Sequence, residues 1–150
     1  MTTIETVKGY INRLCIEAGA DPEKIYSQEA DAWYFSKGAA TLEVFLSSFE
    51  TSENVVRTFI RCLSTIYPIP VDPVYRQELY FVALEVNARN MGVKIGTMAD
   101  NGYMYAIAER EIDGMGYDEF ITLINDVGYW AEQLSELFKS RFGEPQSNLN

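Results

Sequence analysis

Three strand-like runs follow one another between residues 32 and 66, joined by links too short to hold a crossover helix. They span residues 32–35, 39–49 and 55–66, with Lys37-Gly38 as a turn and a polar loop at 50–54. Parallel neighbours need a dozen or more connecting residues, so the runs predict an antiparallel sheet. Alternation in the third run predicts one face with Val56, Thr58, Ile60, Cys62, Ser64 and Ile66, and the other with Arg57, Phe59, Arg61 and Leu63.

Helical patterns precede and follow these strands. Residues 3–18 place apolar side chains at helical spacing, with Thr2 and Glu5 as a possible capping box and Gly19 as the stop. Asp72-Pro73 combines an N-cap residue with proline at the first helical position, which predicts a second helix as far as about residue 90. The spacing of apolar residues over 117–142 predicts a long last helix.

Asn101-Gly102 lies between two further strand-like runs, residues 93–99 and 103–112, and predicts a type I′ hairpin turn. The order of elements is therefore α-β-β-β-α-β-β-α. We expect one α+β domain over residues 1–150, with a five-stranded antiparallel sheet, three helices and a frayed tail from about residue 143.

The second helix is apolar around most of its circumference. Glu78, Glu85 and Arg89 form one narrow polar stripe on it. A helix of this kind is buried on more than one side. One cover is the sheet, and the other is either a helix of this chain or a second subunit; both alternatives stay open here. The candidate residues for a dimer interface are Leu79, Tyr80, Phe81, Leu84 and Ala88.

Charge and composition exclude several kinds of partner. The net charge of −10 disfavours nucleic acid and anionic membranes, and it suits either solubility alone or a partner with a basic segment. No apolar run reaches the roughly 20 residues that a membrane span needs, and no signal peptide is visible. We expect a cytoplasmic protein in which Cys15 and Cys62 are buried, reduced thiols.

Catalytic motifs are scarce because the chain contains no histidine. Nucleophile triads and imidazole metal sites are thereby excluded, which leaves carboxylate chemistry. Glu109, Glu111 and Asp113 alternate near the end of a strand, where a solvated strand end is the more common explanation. The segment 100–102 lacks the other ligands of a calcium loop, and Glu43 is expected to pair with Arg57 or Arg61. We therefore predict no enzyme activity, no metal and no cofactor.

Several strings, in order along the chain, resemble a known family. They are KGAATLEV at 37–44, Ile69-Pro70, LEVN at 84–87, GVKIG at 92–96 and AEREI at 108–112. Over about residues 3–140 the chain resembles the type III secretion chaperone-like superfamily, and within it the YbjN family of bacterial sensory transduction regulators. The resemblance implies the order of elements given above, a homodimer that uses the second helix, and the holding of an extended protein segment. It carries no catalytic motif.

Function is thus expected to be the binding of another protein, as a chaperone or adaptor. One alternative is a regulatory module that binds a folded signalling partner, and another is a small-ligand binder or carboxylate enzyme that uses Tyr105 with Glu109 or Glu111. An extended partner would use sheet edges and apolar pockets. The candidate partner-binding residues are Trp33, Tyr34, Phe35 and Tyr103, although strand aromatics more often pack inward.

Overall fold

The computed structural model describes residues 1–90, 92–98 and 101–145. Along the chain its helices and strands are α1 (Ile4–Glu17), α2 (Pro22–Ile25), β1 (Tyr26–Ser27), β2 (Ala32–Lys37), β3 (Ala40–Glu50), β4 (Val56–Pro68), α3 (Pro73–Arg89), β5 (Lys94–Thr97), β6 (Tyr103–Glu111) and α4 (Tyr117–Phe142). The predicted order of major elements is confirmed. The predicted counts of five strands and three helices are wrong, because residues 1–90, 92–98 and 101–145 form six strands and four helices.

The two additional elements lie in the link between α1 and β2. Asp21 accepts a hydrogen bond from the N–H of Glu23, and Pro22 occupies the first turn, so the Asp-Pro signal begins a helix here as it does at Asp72. That helix has four residues, and β1 has two. Elements this short present no periodicity, which is why the sequence did not indicate them.

All neighbouring strands in the sheet are antiparallel, in the order β1-β2-β3-β4-β6-β5. The longest strand, β4, lies between β3 and β6. The face with Ile60, Cys62, Ser64 and Ile66 is the inward one, since these four residues are buried, and Leu63 of the other face is buried as well. Ser64 is satisfied there because its hydroxyl donates to the carbonyl of Thr41.

The core lies between the sheet and the helices α1 and α4. Val7, Ile11 and Cys15 of α1 are fully buried, as are Phe120 and Phe138 of α4. The helix α4 packs across β3, β4 and β6. Cys15 and Cys62 are both free and buried, as predicted. On the opposite face of the sheet, Arg57 and Arg61 are half-buried and Leu63 is buried.

Three local expectations require correction or limits. The N-cap of α1 is Thr3, whose hydroxyl accepts from the N–H of Thr6, so the predicted box of Thr2 with Glu5 is wrong. The hairpin between β5 and β6 is present, and its pairing ends with Thr97 opposite Met104, so Asn101-Gly102 is not a two-residue link between directly paired strand ends. The predicted type I′ turn at Asn101-Gly102 adjoins residues 99 and 100, which lie outside the described residues.

The N–H of Ile69 donates to the carbonyl of Gly102 at 2.7 Å, next to the pair Pro68–Tyr103 of β4 and β6. The predicted strand end at residue 99, the calcium-loop position 100 and the tail from 146 onward lie outside the described residues.

Candidate partner-binding surfaces

The helix α3 buries one side and leaves an apolar side in solvent. It begins at Asp72, whose carboxylate accepts from the N–H of Val74 at 2.8 Å. Leu79, Val82 and Ala83 face the body of the domain. The opposite side carries exposed apolar side chains, so the alternative in which a helix of this chain covers α3 on that side is wrong for the described residues.

The predicted interface residues divide between these two sides. Leu79 is fully buried in the core and is not available to a second chain, whereas Tyr80, Phe81, Leu84 and Ala88 are exposed. Phe81 and Leu84 retain 64% and 68% of their accessible surface, unusually high values for such large apolar side chains.

An exposed stripe along α3 has the spacing of helix-to-helix contacts. It comprises, at alternating steps of three and four, Val74, Gln77, Phe81, Leu84 and Ala88. Steps of three and four keep side chains on one line of a helix, as at the a and d positions of coiled coils. Val74 was not among the predicted interface residues, although the same spacing indicates it.

A groove of about 700 Å³ runs beside this stripe toward the end of α4. Among its walls are Val74, Phe81, Leu84, Arg141 and Phe142. Phe142 is half-buried and packs against Phe138, with ring centroids 6.1 Å apart. The stripe therefore continues into a concave apolar surface rather than ending at the helix.

One edge of the sheet is open along most of β2. The strand β1 pairs only with Ala32 and Trp33, and the remaining four residues of β2 have no strand on their outer side within the described chain. Backbone donors and acceptors along such an edge are a template for another strand. β2 is thus a position at which an extended segment can add.

The aromatic residues of β2 are placed on both faces of this edge. Trp33 is buried and packs against Tyr26, with ring centroids 5.0 Å apart, while Phe35 is half-buried against the core. Tyr34 lies on the outer face, 38% exposed, directly opposite Glu43 on β3. Partial burial raises the pKa of Tyr34, and the neighbouring Glu43 raises it further.

Tyr103 does not belong to the same surface. It is exposed at the start of β6, opposite Pro68 of β4. Three strand spacings separate β2 from β6, which is roughly 14 Å. One strand added at β2 cannot touch both Tyr34 and Tyr103.

The other edge of the sheet, at β5, is closed by the side chain of Asn87 on α3. The N–H of Ile95 donates to Oδ1 of Asn87 at 2.7 Å, and Nδ2 of Asn87 donates to the carbonyl of Ile95 at 3.0 Å. Nζ of Lys94 donates to the carbonyls of Asn87 and Asn90 at the end of α3. No sequence pattern predicted this contact.

Carboxylates on the face of the sheet opposite the buried face of β4 are paired with arginines. Arg57 binds Glu111 through two hydrogen bonds of 2.9 and 2.5 Å, and Nε of Arg61 donates to Glu109 at 2.8 Å. The predicted pairing of Glu43 with these arginines is wrong, because β6 brings Glu109 directly opposite Arg61 whereas Glu43 lies opposite Leu63.

This pairing is unsuited to acid–base catalysis. The hydrogen bonds from Arg57 lower the pKa of Glu111, whereas a general acid at neutral pH needs a raised pKa.

Burial raises the pKa of the Cys62 thiol to about 12, which suppresses the thiolate. Within residues 1–90, 92–98 and 101–145, no three acidic or cysteine side chains converge as a metal-ligating group.

Comparison with known proteins gives matches to solved structures alone. No protein-family model and no curated protein sequence matches the chain. A chain of the HopA1–SchA chaperone–effector complex superposes with a TM-score of 0.61 at 11% identity, covering 87% of this chain and 93% of that one. YbjN of E. coli superposes with a TM-score of 0.56 at 10% identity, covering 93% of each chain.

A third match is a chain of the complex between the Yersinia pestis type III secretion chaperone SycH and a stable fragment of YscM2. Its TM-score is 0.53 at 11% identity, with 85% of this chain and 98% of that chain covered. The fold is that of the type III secretion chaperones and of YbjN. The resemblance seen in the sequence is thereby confirmed for the fold. No described helix is both long enough and apolar enough to cross a bilayer.

Proposed function

We propose that this chain is a non-enzymatic, cytoplasmic protein-binding module that holds an extended segment of a partner and acts as a homodimer. The observation that carries the proposal is the open edge at β2, in a fold whose solved neighbours include chaperone complexes with effectors or protein fragments. Strand addition needs such an edge, and it needs no catalytic group.

The partner segment would bind mainly through its backbone. Hydrogen bonds to residues 34–37 supply an affinity that depends little on sequence, while side chains of the segment alternate between the two faces. On the outer face they meet Tyr34, and on the inner face they meet Phe35. The net charge of −10 favours a segment with basic residues.

The second copy would bind along the stripe of α3. Two such helices, packed side by side, would remove Phe81 and Leu84 from water, and burial of a large apolar side chain contributes about 1.5–3 kcal/mol. The adjoining groove would receive side chains from the neighbouring helix. A homodimer of this kind covers the half of α3 that the described chain leaves exposed.

Capture and proteolysis test the proposal. The tagged chain would be incubated with lysate of the source cell, treated with protease, and the retained peptides identified by mass spectrometry. A short protected segment supports the proposal, and a protected whole domain favours the regulatory alternative. Failure to retain any peptide at moderate salt would overturn both.

Variants then locate the site. Tyr34→Ala should weaken capture because it removes the exposed aromatic side chain beside the open edge, whereas Val56→Ala, at an exposed position of β4, should not. Hydrogen exchange should slow at residues 34–37 when the segment binds. Slowing at another strand with no change at β2 would contradict this location.

A further inference from the structure

The two edges of the sheet differ in whether their outward backbone groups are occupied, and at β5 they are occupied by the side chain of Asn87. At β2 four residues lack an outer strand within the described chain, whereas at β5 the outward backbone groups of Ile95 are occupied by the side chain of Asn87. Open edges invite addition of any chain, including a further copy of the same protein.

The amide of Asn87 takes the place of a neighbouring residue in a strand. A side-chain amide has one carbonyl oxygen and one N–H₂ group, the same kinds of acceptor and donor as a peptide unit. It exchanges two hydrogen bonds with Ile95, at 2.7 and 3.0 Å, as directly opposed residues of an antiparallel pair do.

One such amide is sufficient because β5 is short. Hydrogen-bonding directions alternate along a strand, so Lys94 and Gly96 point toward β6 when Ile95 points toward Asn87. Of the four residues of β5, only Ile95 and Thr97 then face outward. The contact with Asn87 occupies the N–H and the carbonyl of Ile95, so only those of Thr97, at the end of the strand, remain for another strand.

The amide is also held in place. Nζ of Lys94 binds the carbonyls of Asn87 and Asn90 at 2.9 and 2.7 Å, which ties the end of α3 to β5. The exposed stripe for a second copy lies on this same helix. Two copies joined through α3 would therefore bring their β5 edges close to the shared interface.

We propose that Asn87 closes β5 to strand addition, and thereby directs a partner strand to β2 and prevents two copies joined at α3 from extending their sheets through β5. This inference rests on the proposed function for its consequences. The closure itself is a property of the isolated chain and is tested on it.

The test compares the purified wild type with Asn87→Ala by sedimentation velocity over a range of concentrations. Asn87→Ala should form concentration-dependent species larger than those of the wild type. Exchange of the Ile95 amide should be about fivefold faster in dilute Asn87→Ala, since one hydrogen bond contributes about 1 kcal/mol, and it should slow again as the larger species form. Asn12→Ala, at an exposed position of α1, is the matched control and should match the wild type in both measurements.

Two further variants separate this inference from other causes. Asn87→Asp keeps an acceptor for the N–H of Ile95 but loses the donor, so it should associate to an intermediate degree even if Asn87→Ala folds poorly. Association should persist in the double variant Asn87→Ala with Phe81→Glu, because it uses sheet edges and not the stripe on α3.

Wild-type sedimentation by Asn87→Ala, together with fast exchange at Ile95, would overturn the inference, because the body of α3 would then close the edge. Monomeric sedimentation of the double variant, at concentrations where Asn87→Ala forms the larger species, would overturn it as well. Neither result depends on whether the wild type captures a partner segment. Failure of the proposed function can therefore be distinguished from failure of this inference.

Discussion

Glu132 of α4 accepts a hydrogen bond from the backbone N–H of Ala39 at 2.7 Å, in the tight turn between β2 and β3. The preceding Gly38 has a φ of +58°, and a Cβ built on it would lie 2.0 Å from Oε1 of Glu132. The turn, the open strand β2 and the long helix are therefore joined at a point where the backbone conformation favours glycine.

Gly38→Ala should accordingly destabilise the fold. Left-handed backbone at a residue with a Cβ costs about 1–2 kcal/mol, and displacement of Glu132 would also lose its hydrogen bond to Ala39. Urea unfolding measures the change. The control is Gly9→Ala in α1, where a Cβ meets no atom within 4 Å and helix propensity should raise stability by up to ~1 kcal/mol. Equal effects of the two changes would contradict this account.

The ion pair between Arg57 and Glu111 should make the free energy of unfolding depend on pH below neutrality. Hydrogen bonds from Arg57 lower the pKa of Glu111 in the folded state below its unfolded value. The stabilising contribution is therefore present above the unfolded pKa and is lost as pH falls through the folded pKa. Glu111→Gln should show a weaker loss of unfolding free energy between neutral pH and about pH 3, measured by urea titration at each pH. Glu53→Gln in the exposed β3–β4 loop should retain the wild-type dependence.

Neither thiol should react while the chain is folded. Cys15 and Cys62 are both buried, and with a pKa of about 12 only on the order of one Cys62 thiol in ten thousand is ionised at pH 8. Ellman's reagent should titrate no thiol in buffer and both in denaturant. Rapid reaction of a thiol in buffer would show that one of the two lies outside the core.

The stripe on α3 should determine the oligomeric state. Phe81→Glu places a charge in the centre of the stripe and should yield a monomer by sedimentation, because an unpaired charge is costly to bury at an interface. Val56→Glu is the matched control, since Val56 is 66% exposed and lies outside α3. A wild type that is monomeric at tens of micromolar would remove the basis for this expectation.

Local signals in the sequence were sufficient for the long elements. Asp72-Pro73 begins α3 as predicted, and the apolar spacing of α4 defined its range from Tyr117 to Phe142. The four-residue α2 and two-residue β1 were missed because neither has a repeating pattern.

The surfaces were only partly predictable because they depend on distant contacts. On an apolar helix such as α3, no pattern distinguishes the side that meets the sheet, so buried Leu79 was grouped with exposed Phe81. Arg57 was paired with the wrong acid because β6 reaches β4 only in the folded sheet. The contact of Asn87 with Ile95 depends on the position of α3 beside β5, and no short-range rule contains it.

The central place of β4 has a consequence for the order of folding. Its pairing with β3 closes a short hairpin, whereas its pairing with β6 joins residues as distant as Phe59 and Glu111. Loop closure over the longer separation costs more chain entropy before any contact compensates for it. We therefore expect pulse-labelled amides of the β3–β4 hairpin to become protected before those of β6. Until β6 pairs, the edge of β4 that faces it would remain unpaired and open to misassembly during refolding.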